Sequence, residues 1–194
     1  MQKFLRQKVK VPAEVNAPFS AQVYKTIADP FVGKISMFKV MSGKLTADME
    51  VFNSSKEKKE KLSNLFLLRG KKQVAVDKLV AGDIAAVAKL QFTTTGDTLC
   101  DANNPVVFES VQFPAPNISM AIEPKSKGDE DKIGSGLQRL VEEDPTLKVE
   151  KNAETKQTLI SGIGEQHLEV VTKKLQNKFG VEVVLKDPKI PFRE

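Results

Sequence analysis

The sequence of 194 residues holds one cysteine, Cys100, and one histidine, His167. A lone cysteine excludes an intramolecular disulfide, and with a single histidine beside it a tetrahedral Cys/His zinc site has too few ligands. Long hydrophobic runs are also absent. The apolar stretches are a few residues each, far short of the roughly 20 that a membrane-spanning helix needs. No charged-then-apolar leader opens the chain, so secretion has no support and a cytoplasmic protein without membrane contact is expected. What remains is ordinary for a folded chain. Hydrophobic residues are 40% and charged ones 28%, enough apolar surface to build a core and too little charge for a disordered polymer. The length allows one large domain or two small ones.

Charge is unevenly placed. Residues 1–108 carry 17 Lys+Arg against 10 Asp+Glu, a balance of +7, whereas residues 109–194 carry 13 against 15, a balance of −2. A basic half joined to a near-neutral half points to a polyanion as partner of the first; a lysine-rich solvated surface is the plainer reading of the same numbers. The run Lys56-Glu57-Lys58-Lys59-Glu60-Lys61 mixes signs and reads as a solvated loop. Arg69-Gly70-Lys71-Lys72 is purely basic, which makes Arg69, Lys71 and Lys72 the phosphate-contact candidates.

The hydrophobic period changes along the chain. Phe19, Ala21, Val23 and Ile27 lie among the polar Ser20, Gln22, Tyr24 and Thr26 in the manner of a half-buried strand. Turn signals then recur at Asp29-Pro30, Ser42-Gly43, Ser54-Ser55, Gly70, Gly82-Asp83 and Gly96-Asp97, with short β-favouring runs between them. Many short strands at such spacing predict a small antiparallel barrel, which removes exposed edges by closure. After Asn103-Asn104-Pro105 and a short linker, Ile118–Ile122 reads as a strand. Ile133, Leu137, Leu140 and Val141 then share one helix face, and that helix ends at Asp144-Pro145. Strands are expected at Leu147–Lys151 and Gln157–Ile163, then a helix from Gly164 to Gly180 with Leu168, Val171, Leu175 and Phe179 inward. Val181–Leu185 is the last strand. The order β-α-β-β-α-β is the ferredoxin-like split unit. The expected architecture is therefore a β-barrel over 1–108 followed by a ferredoxin-like domain over 109–194.

Catalytic signatures fail on inspection. Ser42-Gly43-Lys44-Leu45 comes nearest to a P-loop, but Phe38 stands where the first glycine belongs and Leu45 where the magnesium-holding hydroxyl belongs. Asn177-Lys178-Phe179-Gly180 lacks the final aspartate of N-K-x-D, and Asp131-Lys132-Ile133-Gly134 fits D-x-x-G only inside an amphipathic helix. No catalytic residue, metal ligand or cofactor is expected in this chain. His167 opens a helix without a partnered serine or cysteine, and a histidine facing solvent or a neighbouring domain is the simpler account. Cys100 reads as a small buried hydrophobe. The two middle strands of the split unit contain no aromatic residue, which argues against base stacking of the RNA-recognition type.

Particular strings resemble a known family. Ala17-Pro-Phe-Ser-Ala21, Thr26-Ile-Ala-Asp-Pro-Phe-Val-Gly33, Ala81-Gly-Asp-Ile-Ala85 and Thr94-Thr-Gly-Asp-Thr-Leu-Cys100 look like the barrel domain, domain two, of bacterial elongation factor G. Phe113-Pro-x-Pro116, Ile122-Glu-Pro-Lys125, Leu140-x-Glu-Glu-Asp-Pro145 and Ser161-Gly-Ile-Gly-Glu-Gln-His-Leu168 resemble its domain three. The resemblance implies the middle of a translational GTPase. GTP and magnesium would belong to a nucleotide domain preceding residue 1, and domains four and five would follow Glu194. It implies ribosome binding, with the barrel on small-subunit ribosomal RNA. The third domain would lie against a small-subunit protein, the nucleotide domain and domain five, coupling GTP state to movement of transfer and messenger RNA. Gly164, Glu165, His167 and Leu168 match the family motif facing that junction, with Gln166 departing from the leucine common there. A ribosomal protection or recycling-type paralogue fits the same strings. A free-standing RNA-binding or scaffold module, and an acylphosphatase-like enzyme, are the readings from other classes. The latter needs an arginine in the anion loop, and Glu123–Gly128 has none.

Overall fold

The computed structural model describes residues 10–29, 31–70, 72–126 and 128–190. Its contacts divide the chain into two compact units, one built from the stretch up to Thr26 with Lys34–Ser110, the other from Ile27–Gly33 with Val111 onward.

The first unit is antiparallel and barrel-like. Its strands are β1 (Ser20–Asp29), β2 (Gly33–Ser42), β3 (Lys44–Thr46), β4 (Glu50–Asn53), β5 (Lys58–Lys61), β6 (Phe66–Arg69), β7 (Lys72–Ala75), β8 (Lys78–Val80), β9 (Ile84–Ala88) and β10 (Thr98–Cys100). Eight of them run in the order β5-β4-β10-β1-β2-β9-β6-β7, and β3 pairs with β8. Inward residues of these strands, among them Ala21, Val23, Phe38, Val40, Leu45, Val51, Val87 and Leu99, form one core. Alternation puts every second side chain there. Gly43 makes one turn possible: its φ is +74°, and a Cβ would meet the carbonyl oxygen of Ala17 at 2.6 Å.

Two details depart from the sequence expectation. Along β1 the alternation slips by one, because Tyr24 and Lys25 are both exposed while Thr26 and Ala28 are buried; Ile27 is therefore not an inward residue. The second departure is larger. Residues 58–61 of the supposed solvated loop are the strand β5, paired with β4, and Glu60 is only 6% exposed. A strand edge can carry lysines outward and still turn one acid in, provided that acid finds donors.

The second unit has β11 (Ile118–Pro124), α1 (Glu130–Glu143), β12 (Lys148–Lys151), β13 (Thr158–Gly162), α2 (Glu165–Phe179) and β14 (Val183–Lys186). The sheet order β12-β13-β11-β14, antiparallel throughout, is the ferredoxin-like arrangement. Ile133, Leu137 and Leu140 of α1 pack with Leu168, Val171 and Leu175 of α2 over Ile122 and Ile160. Gly136 lets the helices meet closely, since a Cβ there would lie 2.9 Å from Leu175. Helix α1 stops where Asp144 precedes Pro145, its backbone extended at φ −125°. Helix α2 ends on Gly180 in the left-handed region, where the Gly180 N–H donates to the Gln176 carbonyl and the Val181 N–H to that of Leu175. The last strand begins two residues later than the sequence predicts, although Val181 is still buried.

Candidate functional site

The basic candidates sit on a hairpin. β6 and β7 pair in a register that sets Arg69 opposite Lys72, and Gly70 takes φ +60° in the connecting turn. β7 ends the sheet order, so the hairpin is at an edge. Arg69 and Lys72 are exposed, and among the described residues neither has an ion-pair partner. Lys71 lies outside the described residues. Two exposed like charges held side by side without a carboxylate partner among the described residues are suited to phosphate contact.

The second candidate is the turn from β13 into α2. The backbone N–H of Ile163 donates to Nδ1 of His167 at 3.2 Å. Nδ1 therefore carries no hydrogen, and Nε2–H donates to Oδ2 of Asp144 at 3.0 Å. His167 thus ties the start of α2 to the end of α1, with its side chain 13% exposed. Of the two placements that the sequence left open, solvent or a neighbouring domain, the low exposure goes against solvent. Gly162 supplies the room: a Cβ at that position would lie 2.6 Å from Nδ1 of His167 and 2.8 Å from Leu168. Gly164 has no such constraint, being extended with open space around it. Glu165 is exposed in the first helical turn, where its charge complements the positive helix end. Leu168 is fully buried. Its side chain anchors the helix to the core, as the helical spacing of Leu168, Val171 and Leu175 leads one to expect. Ile163 is the large side chain this turn presents outward, 47% exposed.

Two carboxylates beside these groups are held in the ionised state. Burial pushes the Asp144 carboxyl up, but hydrogen bonds from Thr146 and His167 outweigh it and leave it below the ordinary aspartate value. Burial likewise opposes ionisation of Glu143, and hydrogen bonds from Lys174 and Lys178 at 2.8 and 2.7 Å win, lowering it.

The barrel contains a third feature that the sequence reading missed. Glu60 accepts hydrogen bonds from the backbone N–H groups of Gln91, Phe92 and Thr93 and from the Thr93 hydroxyl, at 2.8 to 3.2 Å. Asp97, 5% exposed, accepts from Asn53 Nδ2, Thr94 N–H and the Thr94 hydroxyl. The loop 91–97 is therefore fixed from inside by two buried acids. The sequence signal was present: in Lys58-Lys59-Glu60-Lys61 a period of two puts Glu60 on one side and Lys59 and Lys61 on the other.

The P-loop-like segment is the turn joining β2 to β3, and the residues at its two deciding positions, Phe38 and Leu45, are fully buried in the barrel core. Among the described residues no group of three His, Cys, Asp or Glu is arranged around a common point. Also among the described residues, no helix is long and apolar enough to cross a membrane.

Comparison with known proteins places this arrangement. A family model described as Elongation factor G domain 2 matches residues 18–102, and one described as Elongation Factor G, domain III matches residues 113–187. This chain belongs to the elongation factor G family. It carries domains two and three of that translation-factor family, and the barrel-like and ferredoxin-like folds are those of the two domains. A crystal structure of a protein from Thermus thermophilus superposes with a TM-score of 0.79 at 33% identity, covering 91% of this chain. The chain spans 26% of the length of that protein. Domains two and three of elongation factor G are not the domains that hold its GTPase site.

Proposed function

We propose that this chain is the ribosome-binding and signal-transmitting middle of an elongation factor G-like GTPase. The observation that carries the reading is the pair of family matches in family order, residues 18–102 and then 113–187. The barrel meets small-subunit ribosomal RNA through lysines and arginines on phosphates, in keeping with its +7 balance. The third domain meets a small-subunit protein, the parent's nucleotide domain and its domain five, and domain four of the parent is a further partner of the chain. GTP and magnesium are held by that nucleotide domain, and no catalytic step is assigned to residues of this chain. The work is done in the cytoplasm, where ribosomes are.

A coupler needs rigid parts. The turn at residues 162–168 is stiffened by the Ile163–His167–Asp144 chain of hydrogen bonds, so a push on Glu165 or Ile163 reaches α1 as well as α2. Switch loops that order with GTP and release on hydrolysis would provide that push. A ribosomal protection or recycling-type paralogue would use the same two domains in the same way.

Competition tests the proposal. The isolated chain should displace labelled full-length elongation factor G from ribosomes at low salt, while its own GTP turnover stays at background with and without ribosomes. Failure to compete at any concentration the chain reaches, or turnover above background, contradicts the reading.

A further inference from the structure

We infer that Lys58 and Phe92 form a stacking platform for an unpaired nucleotide of ribosomal RNA, held in place by the buried carboxylate of Glu60. The inference rests on the ribosome-binding reading above and names a contact surface within it. Phe92 is 46% exposed, yet the backbone on both sides of it is fixed: the N–H groups of residues 91, 92 and 93 all donate to Glu60. An exposed aromatic ring on a clamped backbone loses little conformational freedom when a flat partner lands on it.

The lysine is placed by the same strand. Strand alternation puts Lys58 and Glu60 on one side of β5, and Lys59 and Lys61 on the other. There the latter two are occupied by Glu50 at 2.8 Å and Asp48 at 3.3 Å. Lys58 has no carboxylate partner among the described residues. Its ammonium lies 5.9 Å from the centre of the Phe92 ring. Three exposed phenylalanines are found among the described residues, Phe31, Phe92 and Phe113, and of these only Phe92 has a cation over its ring. A ring beside an uncommitted ammonium suits a nucleotide, whose base offers a π-face and whose phosphate offers the counter-charge. An apolar protein surface would have to strip water from that ammonium without return. The platform is separate from the Arg69–Lys72 hairpin, whose phosphate-contact candidates have no exposed aromatic ring beside them, its one phenylalanine, Phe66, being buried.

The test uses the whole chain and purified small ribosomal subunits, titrated at about 50 and 200 mM salt. Phe92→Ala should weaken binding about tenfold at both salts and leave the salt slope unchanged, and Phe92→Tyr should stay within about twofold of the parent chain. Lys58→Gln should lower the slope by about one phosphate contact. Ultraviolet cross-linking should join Phe92 to ribosomal RNA. Circular dichroism checks that the variants fold, as the exposure of both side chains leads one to expect. If the parent chain binds but Phe92→Ala binds equally well, or the cross-link falls on a ribosomal protein, the platform is wrong while ribosome binding stands. If the parent chain does not bind the subunit at all, both fall together.

Discussion

The two units solve the problem of polar groups in opposite ways. Among the described residues, all nine buried polar or charged ones, Glu60, Asp97, Asn53 and Thr93 included, belong to the barrel, whereas the core of the ferredoxin-like unit is hydrophobic. Its ionic groups, Glu143 with two lysines and Asp144 with His167, stand part-exposed at the rim of the helices. Ten short strands joined by turns leave many backbone N–H groups that no ladder satisfies, and buried side chains must take them. Two helices and four strands satisfy their own backbones, so leucines can fill the space between. The barrel loop 91–97 is thus tied down by buried acids, while the α/β unit keeps its ionic groups at the perimeter.

That contrast can be broken most sharply at Glu60. Glu60→Ala leaves three amides and a hydroxyl without an acceptor, and should cost about 3 kcal/mol or more in urea unfolding. A loss under about 1 kcal/mol would mean water replaces the carboxylate and the barrel is not built from inside. The next effect belongs to the other unit. Gly162→Ala drives a methyl group into the His167 ring and Leu168, and should destabilise by about 1–3 kcal/mol, with faster amide exchange along the first turns of α2. Combining it with His167→Ala should recover part of that loss, because one of the two clashing partners is gone.

The rim carboxylates sharpen the comparison through pH. Glu143 and Asp144 both have folded-state values below their ordinary ones. Their contribution is present above the unfolded carboxyl range and is lost as pH falls through the lower folded values. Protection of the α1 and α2 amides, measured as exchange relative to the intrinsic rate at each pH, should therefore fall on acidification from neutral pH to about pH 3. In Lys174→Met/Lys178→Met the carboxyl of Glu143 is held down only by the Ala28 N–H, and the acid-side loss should shrink. The smallest structural effect is expected at the hairpin. Arg69→Gln and Lys72→Gln should change unfolding by less than about 0.5 kcal/mol, while each lowers the salt slope of ribosome binding by about one.

The α/β unit was nearly legible from its sequence, and the barrel was legible in kind. Leu168, Val171 and Leu175 recur at helical spacing because they face a hydrophobic core, and Pro145 and Gly180 mark real helix ends. β5 was hidden because its one inward residue is a glutamate among lysines, the reverse of the usual alternation. The slip at Tyr24-Lys25 left no mark in residue type. His167 was visible as a motif member, but its partner Asp144 lies 23 residues earlier in sequence, a separation that no local pattern spans. Gly162 stands in the motif for a steric reason that becomes visible only with the ring of His167 in place.

Direct binding to small ribosomal subunits across a salt series tests the central claim most plainly. If the barrel grips ribosomal RNA by its phosphates, affinity should fall at least about a hundredfold between about 50 and 200 mM salt. Affinity that stays level over that range, or no binding at its lower end, would contradict the account.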